Sequence, residues 1–128
     1  MNIGEAAKLS GLTVKTVRYY ADIGLISPVK NIKNGYREYN YDHIAKLGFI
    51  GKARRFNFSI KECKELLSLY QDKNRSSKEV KNLTLQKIYE INKKIQELKS
   101  LRIQLNHLAQ NCHGDDRPDC PIIDELSR

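Results

Sequence analysis

Thr13-Val14-Lys15-Thr16-Val17-Arg18-Tyr19-Tyr20-Ala21-Asp22-Ile23-Gly24 is the stretch on which the fold turns. Thr13 is a good N-cap, because its side-chain oxygen can accept from a first-turn N–H that has no helical partner. Gly24 stands where a helix commonly ends on a left-handed residue, so a helix is expected from Val14 to about Ile23. Upstream, Ile3, Ala6, Ala7 and Leu9 recur at helical spacing over residues 2–9, and Ser10-Gly11 interrupts them. Two short helices joined by a tight Gly-containing turn form the helix-turn-helix pattern. The second helix carries Lys15, Arg18, Tyr19 and Tyr20. Long cations there can reach base edges, and cations or phenols can hold phosphates.

Outward from this core the character changes. Leu25-Ile26 reads as a short strand, and Pro28 to Lys33 as a basic loop. Asn34-Gly35 is the strongest short turn signal in the chain, and Tyr36-Arg37-Glu38-Tyr39 alternates like a returning strand, so a β-hairpin wing is expected. Tyr36 and Arg37 then sit where a wing touches the DNA backbone. A third helix should start at Tyr41-Asp42 and reach about Phe56, ending on Arg54 and Arg55, which can grip another phosphate. Ser59, with Glu62 three residues on, is a capping box for a fourth helix. Its apolar face is Ile60, Cys63, Leu66, Leu67 and Tyr70, which makes Cys63 a packing residue. His43 and His107 read as structural.

From Ser77 to about Gln110 there is no Pro or Gly. A helix of that length would be ~50 Å long. Thr84, Ile91, Leu98 and Leu105 recur every seven residues, with Ile88 and Ile95 between them. Val80, Leu101 and Leu108 widen the stripe. This is a coiled-coil seam, parallel or antiparallel. No other element is long enough to cover it, so a second copy of the same helix is the economical partner and a homodimer is expected. The bland alternative is packing along the chain's own domain. The organisation is thus a DNA-binding head over residues 1–75, a dimerisation helix over 76–110, and a tail over 111–128.

Charge follows this division. The net charge is +8 and the pI about 9.4. Residues 1–75 hold 14 Lys/Arg against 7 Asp/Glu, residues 76–110 hold 7 against 3, and residues 111–128 hold 2 against 5. The basic excess points to a phosphate-bearing partner, and the acidic tail to another task. Met1 leads into an amphipathic stretch containing Glu5, not a leader, and no apolar run would span a bilayer. A cytoplasmic location, no membrane partner and reduced cysteines are expected. There is no Gly-rich phosphate loop, nucleophile–base pair or zinc-hydrolase spacing, so an enzyme is the least favoured class.

The tail carries Cys112 and Cys120, eight positions apart, followed by Pro121-Ile122-Ile123-Asp124-Glu125-Leu126, which reads as a short helix with Pro at its first position. Thiolates select soft ions such as Cu(I). Two thiolates without an obligatory third ligand suit a linear ion, whereas tetrahedral zinc wants four ligands. His113, Asp115, Asp116 and Asp119 are the available extras. Cys120 should lie at the N-terminus of the last helix, where the helix dipole favours a thiolate. Two inert cysteines or an adventitious disulfide are the alternative.

Val17-Arg18-Tyr19-Tyr20, Gly24-Leu25-Ile26 and Asn34-Gly35-Tyr36-Arg37-Glu38-Tyr39 together resemble the MerR family of bacterial regulators. The resemblance implies a mainly α protein: a winged helix-turn-helix, a long antiparallel coiled-coil dimerisation helix, and a C-terminal metal-binding loop with a short helix. It implies a dimer on a pseudo-palindromic promoter, which the effector-bound form bends and undertwists so that RNA polymerase can engage. Cys112, Gly114-Asp115-Asp116 and Asp119-Cys120-Pro121-Ile122-Ile123 resemble the metal loop of the copper(I)-responsive branch of that family. By that likeness Cys112 and Cys120 are ligands to one Cu(I) per subunit, and Ag(I) or Au(I) should also be accepted. Ser77 matches the position at which divalent-ion relatives place a third cysteine, over the other subunit's loop; as a bare Ser it reads as an N-cap. His113 departs from the pattern by adding a nitrogen beside Cys112. A sensor of a divalent ion or an oxidant, or a small copper carrier, are the competing functions. A carrier would have no use for Arg18, Tyr36, Arg37 and the wing.

Overall fold

Each of the first four helices begins on a side chain that takes up a free backbone N–H. In the computed structural model, which describes Met1–Arg128, the Asn2 side chain accepts from Glu5 N at 2.9 Å and starts α1, Ile3–Ser10. Thr13 accepts from Thr16 N at 3.1 Å and starts α2, Val14–Asp22. Asn40 accepts from His43 N at 2.9 Å and starts α3, Tyr41–Arg55. Ser59 accepts from Glu62 N at 3.1 Å and starts α4, Ile60–Gln71. The last two are reciprocal. His43 Nδ1 accepts from Asn40 N at 3.0 Å and Glu62 Oε1 from Ser59 N at 2.8 Å, so two otherwise orphaned donors are satisfied at each end. His43, buried and locked into its own helix start, is structural as expected. Replacing Ser59 with Ala should lower unfolding free energy by about 1 kcal/mol; a urea midpoint that does not move would contradict this role for the cap.

The chain forms two compact units, Met1–Lys81 and Asn82–Arg128. In the first, α1 packs on α2 and α3, and α3 on α4. Its centre is Val17, Leu47, Ile50 and Cys63, all fully buried. Gly51 lets α3 approach the helix-turn-helix turn, because a Cβ there would lie 3.0 Å from Leu12 Cδ2. Gly24, at φ 80°, takes the left-handed conformation after α2 that its position required. Cys63 is a core residue, and Tyr70 stacks on Phe49 with ring centres 4.7 Å apart.

Leu25 and Ile26 do not form a strand. Both are buried, one directly after the other, and they plug the core as irregular backbone. A strand would have pointed them to opposite faces. The first strand instead falls in the segment read as a loop: β1 is Val29–Lys30, antiparallel to β2, Arg37–Glu38, with Val29 opposite Glu38 and Lys30 opposite Arg37. The returning strand is therefore shorter than Tyr36–Tyr39. The Asn34-Gly35 turn lies within a six-residue connection, 31–36, closed by Asn31 N to Tyr36 O at 2.7 Å and Gly35 N to Asn31 O at 2.8 Å. Tyr39 and Met1 exchange two backbone hydrogen bonds of 2.8 Å, which tie the wing's end to the start of α1.

A fifth helix, α5, spans Ser77–Asn111, and α6 spans Pro121–Leu126 with Pro at its first position. Ser77 is not the N-cap of α5. Ser76 fills that role, its Oγ accepting from Lys78 N at 3.2 Å. In the second unit the seam residues lie open: Ile88, Ile95, Leu98 and Leu105 are all exposed, Leu98 by 63 %. No helix is long and apolar enough to cross a membrane.

Candidate functional site

Helix α2 has two sides. Val17 and Tyr20, three residues apart, turn inward, and Tyr20 is only 6 % exposed. This corrects the expectation that Tyr20 faces DNA: its ring belongs to the core, with its centre 5.9 Å from that of Tyr19. Lys15, Arg18 and Tyr19 lie on the outward side and are exposed. They form one exposed face that carries two cations and a phenol.

The wing is fastened to that helix. Arg37 Nη2 donates to Asp22 Oδ1 at 2.7 Å, linking β2 to the last turn of α2. The Asp22 carboxylate holds the Arg37 guanidinium firmly charged. Arg37 is thus a brace between α2 and the wing. Beside it, burial pushes the Tyr39 phenol up, opposed by the charges of Arg37 and Arg18. Its hydroxyl completes no hydrogen bond. Between these elements lies a cleft of about 860 Å³ lined by Arg18, Asp22, Tyr36 and Arg37. Tyr36 is exposed at its rim. Arg54 is exposed but spends one nitrogen on its own turn, Nη1 donating to Phe58 O at 2.8 Å. Arg55 is exposed beside it. Asp22 and Tyr39 were not visible as members of this site: a brace across 15 residues has no local signature.

The tail places its two cysteines together. Cys112 Sγ and Cys120 Sγ are 3.4 Å apart, unbonded, and both half-buried. Cys120 occupies the N-cap position of α6. The backbone N–H of Ile123, then the Cys112 thiol, hold the Cys120 thiol below its ordinary range. The extra donors do not converge. No group of three or more His, Cys, Asp or Glu side chains is placed to hold an ion. Asp115 is taken up by Arg117, accepting from its backbone N and Nε at 2.9 Å. His113 is exposed. The donor set is therefore two soft sulfurs, which suits a soft ion of low coordination number.

Two family models match the chain, one described as MerR HTH family regulatory protein over residues 1–69 and one as MerR, DNA binding over residues 44–108. The HTH-type transcriptional regulator HmrR of Rhizobium leguminosarum bv. viciae is 53% identical over 127 residues, which cover 99% of this chain and 98% of that protein. The HTH-type transcriptional regulator CueR of Salmonella typhimurium is 47% identical, covering 99% of this chain and 92% of that one. Among solved structures, the transcription regulator PbrR691 from Ralstonia metallidurans CH34, in complex with lead(II), superposes with a TM-score of 0.84 at 29% identity, covering 98% of both chains.

Proposed function

Because the chain belongs to the MerR family of helix-turn-helix regulators, we propose that it is a copper(I)-responsive transcription activator that binds promoter DNA as a homodimer. Its relatives are transcription regulators, not enzymes. The observation that carries the metal assignment is the pair of sulfurs 3.4 Å apart with no third donor beside them. Two soft thiolates satisfy an ion that takes only two ligands, as soft monovalent ions do, whereas zinc wants four, and the absence of a cysteine at Ser77 keeps the set at two. Ag(I) and Au(I) share the charge and softness of Cu(I) and should act in its place. Binding releases the thiol protons, and the lowered Cys120 thiol makes that release easier.

The output is the basic head. Lys15, Arg18 and Tyr19 read or grip the groove, while Tyr36, Arg37 and Arg54 hold phosphates around it. The open stripe of Thr84, Ile88, Ile91, Ile95, Leu98 and Leu105 pairs with its copy, antiparallel, and so sets two heads on two half-sites. When the metal binds, the dimer distorts the promoter, RNA polymerase engages, and genes of copper efflux or detoxification are switched on.

Transcription from the protein's own promoter, reconstituted with RNA polymerase, should rise when Cu(I) is added to reduced protein and stay at its basal level with Zn(II). A yield indifferent to Cu(I) would overturn the proposal. Arg18→Ala should cost about 1–3 kcal/mol of promoter affinity. The comparison is made at several salt concentrations, because phosphate contacts make affinity salt-dependent; equal affinity at all of them would remove Arg18 from the site. A divalent-ion sensor is the second reading. The superposition on a lead(II)-bound regulator favours it.

A further inference from the structure

We propose that the wing tip carries an apolar DNA contact: Ile32, set between Lys30 and Lys33, packs against the deoxyribose wall of the minor groove flanking the half-site. This rests on the DNA-binding reading and adds a residue to it. Ile32 is fully exposed, more so than any other large apolar residue of the chain. Its loop is nevertheless well built. Asn31 Oδ1 accepts from Lys33 N at 2.8 Å, Asn31 Nδ2 donates to Glu38 Oε1 at 2.6 Å, and Asn34 Oδ1 accepts from Tyr36 N at 2.9 Å. With the two backbone bonds that close 31–36, these fix the loop through its neighbours and leave the Ile32 side chain with no packing role.

Turn tips are ordinarily occupied by Gly, Asn, Asp or Ser, and a β-branched apolar residue there does nothing for the fold. What surrounds it names the occupant. Lys30 and Lys33 are both exposed, and Arg37 stands opposite Lys30 in the hairpin. An exposed apolar side chain flanked in sequence by two exposed lysines fits a polyanion that also offers apolar surface. Duplex DNA does so along the sugar walls of its minor groove, where apolar side chains serve as wedges. The wing is braced to the recognition helix through Asp22, so the tip lies in a fixed place relative to α2. With α2 in the major groove, the wing lies over the backbone and its tip reaches the adjoining minor groove.

The test uses a duplex selected from a random-sequence pool by the full-length wild-type protein. Its affinity for wild type, Ile32→Ser, Lys33→Ala and Arg18→Ala is measured over a range of salt, with hydroxyl-radical footprints of each complex. Ile32→Ser should weaken binding roughly tenfold at every salt concentration. It should leave the salt slope unchanged and lose sugar protection at one flank of each half-site. Lys33→Ala should instead lower the slope by about 1. If Ile32→Ser binds and footprints as wild type while Arg18→Ala is weakened, the wing-tip contact is refuted and the DNA-binding reading stands. If the wild-type protein selects no duplex from the pool, both fall together. Because Ile32 contacts nothing in the fold, unfolding of the variant is not expected, and circular dichroism checks it.

Discussion

Cys112→Ser protein, reduced and titrated anaerobically with Cu(I), should lose its affinity for the ion by more than about a hundredfold while its affinity for promoter DNA stays unchanged. Removing a group that merely orients a ligand already costs ~10–100-fold, and here one of only two ligands is lost. The pair stands 3.4 Å apart with no third donor in place to substitute. Cys120→Ser should behave alike and should also remove the thiol that the Ile123 N–H favours as thiolate. Cys63→Ser is the internal control. That thiol is fully buried in the first unit, so its loss should reduce stability and leave the Cu(I) affinity as it was. A Cys112→Ser protein that still binds one Cu(I) per chain with wild-type affinity would show that the tail is not the metal site.

Leu98→Asp should convert a dimer into a monomer of about 14.8 kDa, measured by sedimentation of protein that keeps its helical circular dichroism. In a two-fold pair each seam position occurs twice, so one substitution buries two carboxylates with no partner. An uncompensated buried charge costs about 3–5 kcal/mol. In the single chain Leu98 is exposed, so the substitution strains nothing within the helix. Specific promoter affinity should fall with the dimer, by the ~10²–10⁴ that linking two binding heads supplies. A Leu98→Asp protein that sediments as a dimer would place the interface elsewhere.

Much of this molecule is legible locally. The caps at Asn2, Thr13, Asn40 and Ser59 mark four helix starts; Thr13 and Ser59 were readable from residue type and spacing alone, since capping needs only a short oxygen-bearing side chain before the first turn. The absence of Pro and Gly from Ser77 to Gln110, with apolar residues at helical spacing, likewise marks the long helix. The readings that changed depend on which way a side chain faces. Tyr20 was grouped with Arg18 and Tyr19 by chemistry, yet it lies three residues after buried Val17 and so shares its inward face. Helical spacing could have revealed that. Leu25-Ile26 reads as a short strand by residue type, but the packed core buries both in succession. The Asp22–Arg37 brace and the meeting of Cys112 with Cys120 are of another kind. Both join residues across intervening loops whose course no local pattern encodes. The loop's likeness to a family motif supplied the cysteine pair, and nothing comparable supplied Asp22.

The central claim is that the Cys112–Cys120 loop makes this regulator a sensor of a soft monovalent ion. The most direct measurement is an anaerobic competition titration of the reduced protein with Cu(I) and Zn(II). One Cu(I) should bind per chain, retained against an excess of Zn(II) and lost in both cysteine variants. Tight binding of one Zn(II) per chain, with no preference for Cu(I), would contradict the claim.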